Sequence, residues 1–294
     1  FKQKTAYEML RSLVGSEMCI RDSPTSAGET GFRAAGPELA ANRTVTGFIK
    51  RSTGDDMMAQ IRAGVGRVTI TPPVGMYLVG MERDQVCTGL RDDLFATALV
   101  LSDGTTEAAI VACDLLTVHA HLVRRVRQEV SARTGIPPAH VMLCATHCHS
   151  GPVTSADENS KPLFRAYVDN LAFLLAGAVE MAWRKLTPAQ FGLGRGAATI
   201  GINRRLTRAD GVTVIDGNPA GPVDPEVAVW RVDGDNGLPL LAFVNYACHP
   251  VVLGNGSNVI SADWPGAMRR TVEQVTGAPC ALIQGAGADI NPLP

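Results

Sequence analysis

The chain has 294 residues, of which 46% are hydrophobic and 19% are charged, and its formal net charge at pH 7 is −1. The apolar fraction is sufficient for a packed core, whereas the near-neutral charge argues against nucleic acid or an anionic membrane surface as the main partner. The apolar runs fall short of the ~20 consecutive residues that a transmembrane helix needs, and the sequence shows no secretory signal. Seven unclustered cysteines indicate a reducing compartment rather than a disulfide framework.

The first 56 residues differ in character from the rest. Phe1–Ser23 closely resembles a translated sequencing-adaptor artefact that recurs at the ends of open reading frames in metagenomic assemblies. Residues 24–56 show neither the helical nor the strand period. We therefore predict that residues 1–56 are a non-native or disordered leader, that the natural protein starts at Met57 or Met58, and that it is cytoplasmic. The alternative is a genuine N-terminal extension.

Seven segments after Gly64 predict β-strands. They are rich in Val, Ile, Leu and Ala and are mostly apolar throughout, as expected for strands that are covered on both faces. The predicted strands are Gly66–Thr71, Phe95–Ser102, Ala108–Cys113, Val141–Thr146, Val227–Val232, Leu240–Tyr246 and Ala281–Gln284.

Helical patterns alternate with these strands. The predicted helices are His119–Thr134, Phe164–Lys185 and Pro265–Thr276. The stretch from Arg204 to Pro225 is rich in Gly, Asp, Pro and Thr and predicts a long surface loop. The alternation indicates an α/β fold, a layered domain with mixed β-sheets and flanking helices.

A His-x-His pattern directly follows the predicted strand that starts at Val141. Residues two apart in an extended chain point to the same face, so His147 and His149 can converge on one centre. Neutral imidazoles in this arrangement suit a zinc ion. The alternative is a pair of hydrogen-bonded loop histidines. A second such pair, His119 and His121, falls at a predicted helix start, where residues two apart do not share a face, and is interpreted as a surface or capping pair.

Three more strand ends or loops carry polar residues, and open α/β sheets place their sites at strand ends. His249 follows one predicted strand and is a candidate site residue. The alternative is a core histidine whose hydrogen bonds are satisfied. Asp263 lies where a loop enters a helix and is a second candidate. The alternative is that it only caps the helix. The glycines of Gln284–Pro292 either let a substrate approach the backbone or make a turn.

In this order the motifs resemble those of the neutral ceramidases, a family of zinc-dependent amide hydrolases. The resemblance covers about Ala63 to Pro294, and the chain looks like short bacterial relatives. It implies that residues 57–294 are an incomplete N-terminal catalytic domain. The matching blocks are Gly64-Val-Gly-Arg67, Thr71-Pro-Pro73, Gly80-Met81, Ala145-Thr-His-Cys-His-Ser-Gly-Pro152, Ile202-Asn-Arg204, Cys248-His-Pro250, Ile260-Ser-Ala-Asp263 and Gln284-Gly-Ala-Gly-Ala-Asp289 with Asn291-Pro292.

The resemblance implies roles for individual residues. His147 and His249 match the zinc-binding histidines, and His149 would lie beside the metal and face the substrate. Arg204 matches an arginine that lines the site, and the side chain of Asp263 would lie around the same pocket. These three residues, His149, Arg204 and Asp263, are the predicted catalytic residues.

Two glycines complete the predicted site. Gly80 and Gly285 would lie at the substrate or developing oxyanion. Zinc would polarise the carbonyl of a small N-acyl or lipid substrate and lower the pKa of its bound water. An imidazole would pass a proton to the leaving amine, and Arg204 or a backbone N–H would steady the oxyanion.

The chain departs from the family pattern at two points. The family's further metal ligands, a glutamate and a tyrosine, lie beyond the position of Pro294, so the polypeptide as given is expected to be inactive. The family's essential serine lies in the block that matches Gln284–Pro292, which contains no serine here. The alternatives are therefore a hydrolase of the same fold acting on a different small amide or ester, and a noncatalytic binding domain.

Overall fold

The computed structural model describes residues 60–81, 86–156 and 159–293. The predicted leader and the predicted start at Met57 or Met58 lie outside these residues. The strands are β1 Arg62–Thr69, β2 Gly89–Leu90, β3 Phe95–Ser102, β4 Glu107–Cys113, β5 Val141–Ala145, β6 Thr187–Ala197, β7 Gly201–Thr207, β8 Thr213–Asn218, β9 Glu226–Gly234, β10 Pro239–Tyr246, β11 Val259–Ile260, β12 Cys280–Gln284 and β13 Ile290–Pro292. The α-helices are α1 Ala120–Thr134, α2 Pro162–Trp183 and α3 Asp263–Thr276.

Eight of these strands form one mixed sheet in the order β12-β10-β9-β6-β1-β3-β4-β5. The pairs β4–β5 and β10–β12 are parallel, and the other pairs are antiparallel. Only Arg62 and Ala63 of β1 pair with β6. The sheet folds over at this junction, since β12 contacts both β4 and β5. The carboxyl ends of the two parallel pairs are thereby brought together.

Side chains alternate between the two faces of each strand, so the two faces of the sheet pack into different hydrophobic cores. On β3, Leu99 and Leu101 face the core between the two halves of the folded sheet, together with Phe243 of β10. Ala98 and Val100 face the opposite core, which is covered by α1 and α2. This two-sided burial explains why β3 is apolar throughout.

The helices bury the apolar faces that their sequences predict. On α1, Leu122, Val126 and Val130 recur every four residues and are buried. On α3, Met268 and Val272 pack against residues of β10 and β12. The result is a layered arrangement of helices and sheets, and the predicted α/β fold with mixed sheets and flanking helices is confirmed.

One helix of the described residues, α2, is long and apolar enough to cross a membrane by length and composition alone. Half of its most apolar window is buried inside the structure. Its buried residues, among them Leu171, Leu175 and Val179, belong to the core beneath β1 and β3. In this structure α2 is therefore a core helix.

The predicted surface loop from Arg204 to Pro225 is wrong. Most of it belongs to the hairpin of β7 and β8, which closes with the N–H of Arg208 donating to the carbonyl oxygen of Val212 at 2.9 Å. β13 pairs with the other edge of β7. Most side chains of β8 are exposed, so the hairpin lacks the alternation of apolar residues that predicts a strand.

Candidate metal centre

The site lies where three strands end. His147 follows β5, His249 follows β10, and the glycine-containing segment from Gly285 follows β12. Because β12 lies against β5 in the folded sheet, these carboxyl ends meet at one place, the usual position of sites in α/β sheets.

Three histidines converge there. Their ring centroids are 4.8 Å apart for His147 and His149, 4.9 Å for His147 and His249, and 5.5 Å for His149 and His249. One ligand nitrogen from each ring lies within 4.8 Å of the others. Our prediction that this segment is extended is wrong, because His147 has a left-handed φ of 64°. The turn around His147, rather than strand alternation, brings the first two rings together.

Hydrogen bonds fix the tautomer of all three rings. The Nδ1 atoms lie 3.0 Å from the carbonyl oxygen of Leu116 for His147, 2.8 Å from that of Gly80 for His149, and 2.6 Å from that of Gly287 for His249. A carbonyl oxygen only accepts, so each Nδ1 carries the proton, and each Nε2 keeps its lone pair. Backbone carbonyls orient metal-binding histidines in this way. The donor set therefore fits a divalent zinc ion.

The surroundings keep the rings neutral. Burial lowers the pKa of His149 to about 4, with a further contribution from His147. Burial and the positive charge of Arg204 lower the pKa of His249 to about 4. The pKa of His147 is also lowered, chiefly by burial. Neutral imidazoles at physiological pH are the form that binds a metal.

Gly80 sets the position of His149. Its φ is 93°, which a residue with a side chain rarely adopts. A Cβ at this position would lie 2.5 Å from Nδ1 of His149, the atom that donates to the carbonyl oxygen of Gly80. The segment is held in place by the N–H of Val79, which donates to the carbonyl oxygen of Gly151. The predicted Gly80 thus contacts His149 directly.

Arg204 lies beside the histidines on β7. Its Nε donates to the carbonyl oxygen of Ala288 at 3.0 Å, and its Nη1 lies 3.4 Å from Oδ1 of Asn291. Its positive charge is one of the causes that lower the pKa of all three site histidines.

The glycines after β12 allow this segment to pack closely against the end of β10. A Cβ at Gly287 would lie 2.7 Å from the backbone nitrogen of Cys248. The N–H of Gly285, predicted to face an oxyanion, donates to the carbonyl oxygen of Tyr246 at 3.0 Å. The close approach is therefore between two segments of this chain, and it places the carbonyl oxygen of Gly287 beside His249.

Asp263 lies at the start of α3 and is 6% exposed. Its carboxylate accepts hydrogen bonds from the backbone N–H groups of Val252 at 3.1 Å and Leu253 at 3.0 Å, just after His249. It also accepts from the N–H of Trp264 at 2.7 Å. The predicted catalytic Asp263 is thus bound to backbone of the histidine loop.

Sequence reasoning missed several groups at this site. The carbonyl oxygens of Leu116 and Gly287 orient histidines, and a backbone contact of this kind has no side-chain signal. It also missed the buried ion pair of Asp114 and Arg269, whose atoms are 2.6 Å apart. Asp114 directly follows β4, two residues before Leu116. A buried acidic residue at the end of an apolar strand was the available signal.

Fold and site together define an α/β protein with a three-histidine centre at the carboxyl ends of its strands. The family model described as neutral/alkaline non-lysosomal ceramidase, N-terminal, matches residues 61–282. The chain belongs to this family, which confirms the resemblance in the sequence.

Known relatives agree with this assignment. Neutral ceramidase B of Dictyostelium discoideum is 25% identical over 252 residues, which cover 80% of this chain and 34% of that protein. A structure described as ceramidase complexed with C2 matches with a TM-score of 0.64 and 24% identity, over 80% of this chain and 39% of the other. Neutral ceramidase from Pseudomonas aeruginosa matches with a TM-score of 0.63 and 24% identity, over 81% and 40%. The chain thus spans about a third of the length of the curated relative.

Proposed function

We propose that this chain carries the zinc centre of an amide hydrolase of the neutral ceramidase type. The observation that supports the proposal most directly is the cluster of three histidines whose Nδ1 atoms are all held by backbone carbonyls. Membership of the ceramidase family supports the reaction class. His147 and His249 are the proposed ligands. A zinc ion bound to them supplies a Lewis acid for the amide carbonyl and an activated water nucleophile.

His149 is the proposed proton carrier. The carbonyl oxygen of Gly80 holds its Nδ1, and the low pKa keeps the ring neutral before reaction. A neutral Nε2 accepts the proton that the attacking water loses and then donates it to the leaving amine nitrogen. The proton lost by the water thus ends on the amine nitrogen, which leaves as the C–N bond breaks.

Arg204 is the proposed partner of the oxyanion. Its guanidinium is held by the carbonyl oxygen of Ala288 and by Asn291, and its charge acts on the histidine cluster. A fixed cation beside the carbonyl stabilises negative charge that develops on the oxygen in the transition state.

The proposed substrate is an N-acyl compound, with N-acylsphingosine as the first candidate. One observation favours a second candidate, a different small amide or ester. The block Gln284–Pro292, where the family's essential serine is expected, contains no serine. The same observation motivates the third candidate, a noncatalytic binding domain.

Hydrolysis is measured on a longer protein of this family that contains this chain, called the parent protein below, because the chain spans about a third of the length of the curated relative. Ceramide and a short polar N-acyl compound are compared, with and without a chelator. Chelator-sensitive release of fatty acid from ceramide supports the first candidate. Cleavage of the short compound alone supports the second. Absence of bound zinc in the folded parent protein contradicts both and leaves the binding domain.

A further inference from the structure

The segment Ser261–Trp264 contacts both of the loops that carry the site histidines. On one side, the N–H of Ser261 donates to the carbonyl oxygen of Ser150 at 3.2 Å. The Sγ of Cys148 donates to the carbonyl oxygen of Ser261 at 2.9 Å. These contacts hold the loop that carries His147 and His149.

On the other side, the same segment holds the loop that carries His249. The indole N–H of Trp264 donates to the carbonyl oxygen of His249 at 3.1 Å. The Asp263 carboxylate accepts from the N–H groups of Val252 and Leu253. The loop is therefore fixed at His249 itself and again three and four residues later.

Asp263 adopts a strained backbone to make these contacts. Its φ is 58°, and His147 is the only other residue in the described ranges with a side chain and a positive φ. Strain of this kind persists only where the surroundings enforce it, and it concentrates at functional sites. Asp92 holds the two residues that precede Asp263, because its carboxylate accepts from Oγ of Ser261 at 2.9 Å and from the N–H of Ala262 at 2.6 Å.

We propose that Asp263 is a positioning residue, which sets the distance between the two histidine loops and thereby the metal affinity of the centre. The inference rests on the proposed function. The carboxylate bonds to three backbone N–H groups, and each such charge-assisted bond is stronger than a neutral one. Asp263 acts on the metal through His249 rather than by touching it.

Two substitutions separate the carboxylate from the backbone strain. Asp263→Gly tolerates the positive φ but removes all three acceptor contacts. Asp263→Asn also tolerates this φ and keeps one amide oxygen as an acceptor. In the parent protein, titrated with Zn²⁺ alone, we expect the affinity for Zn²⁺ to fall about tenfold or more in Asp263→Gly, as for other residues that orient ligands. We expect a smaller loss in Asp263→Asn.

Two further readouts distinguish positioning from general destabilisation. Hydrogen exchange of the Val252 and Leu253 amides should accelerate in Asp263→Gly, while core amides of β3 stay protected. Co²⁺ bound to the variant should give an altered visible spectrum. Asp169→Asn is the matched control, because the Asp169 side chain is 69% exposed on α2, and it should leave Zn²⁺ affinity unchanged.

The outcomes separate this inference from the proposed function. If the parent protein binds Zn²⁺ and folded Asp263→Gly binds it equally well, the positioning role is contradicted while the zinc centre stands. If Asp263→Gly does not fold, unchanged affinity in folded Asp263→Asn together with unchanged exchange at Val252 and Leu253 contradicts it in the same way. If the folded parent protein binds no Zn²⁺, the proposed function and this inference both fail.

Discussion

Nδ1 of His249 lies 2.6 Å from the carbonyl oxygen of Gly287. The two residues are 38 positions apart, and they meet because β10 and β12 are parallel neighbours whose carboxyl ends coincide. Gly287 can come this close only because it has no side chain, since a Cβ would lie 2.7 Å from the backbone nitrogen of Cys248. The orientation of His249 thus depends on a glycine in another loop.

Substitution of this glycine tests that dependence. Gly287→Ala should move the loop away from β10, rotate His249 and weaken Zn²⁺ binding, with a loss of about 1–3 kcal/mol in the free energy of unfolding. Isothermal titration and chemical denaturation measure the two effects. Gly192→Ala on β6 is the control, because a Cβ there meets nothing within 4 Å. Equal Zn²⁺ affinity in Gly287→Ala and the unsubstituted parent protein would contradict the proposed dependence of the His249 orientation on Gly287.

Gly80→Ala should displace the His149 ring. The variant combines two effects, an unfavourable φ of 93° and a contact of 2.5 Å with Nδ1 of His149. Gly104→Ala is a matched control, because Gly104 has a φ of 89° but a Cβ there meets nothing within 4 Å. We expect hydrolysis by the parent protein to fall at least tenfold in Gly80→Ala and to remain in Gly104→Ala. Similar activity in both variants would show that His149 is not positioned by Gly80.

The metal-free protein should lose stability as the pH falls from about 6.5 to about 4. The pKa values of His149 and His249 are lowered from 6.5 to about 4 in the folded state. In this window the unfolded chain binds protons at both residues and the folded chain does not, so the free energy of unfolding decreases with falling pH. Thermal denaturation in the presence of a chelator measures the slope.

His249→Gln is the control for this prediction, since it removes one of the three site histidines whose pKa is lowered. Its melting temperature should change less steeply over the same pH range. An identical slope in the variant and the parent chain would contradict the lowered pKa of His249.

The buried ion pair of Asp114 and Arg269 should be sensitive to removal of one partner. Arg269→Leu leaves the carboxylate of Asp114 buried without its cation, which should cost about 3–5 kcal/mol of unfolding free energy. Arg195→Leu, which breaks an exposed pair with Glu226, should cost less than about 1 kcal/mol. The double variant Asp114→Asn/Arg269→Leu should recover part of the loss. Equal losses in Arg269→Leu and Arg195→Leu would contradict the larger contribution of the buried pair.

The apolar strands and the sites at their ends were predictable from sequence, because burial on both faces leaves a continuous apolar run. β6 was missed, since Gly192, Gly194 and Gly196 weaken the strand pattern. The convergence of His147 and His149 was predicted from an extended backbone that the structure does not have. The carbonyl partners of the histidines depend on which strand ends meet, and that is set by the folding of the sheet rather than by local sequence.

The most direct measurement of the zinc centre is the Zn²⁺ stoichiometry and affinity of the folded parent protein beside its His147→Ala and His249→Ala variants. We predict about one Zn²⁺ per chain, lost in both variants, with the fold retained by circular dichroism. Zinc bound equally by the parent protein and both folded variants, or bound by none of them, would contradict the assignment of these histidines as ligands.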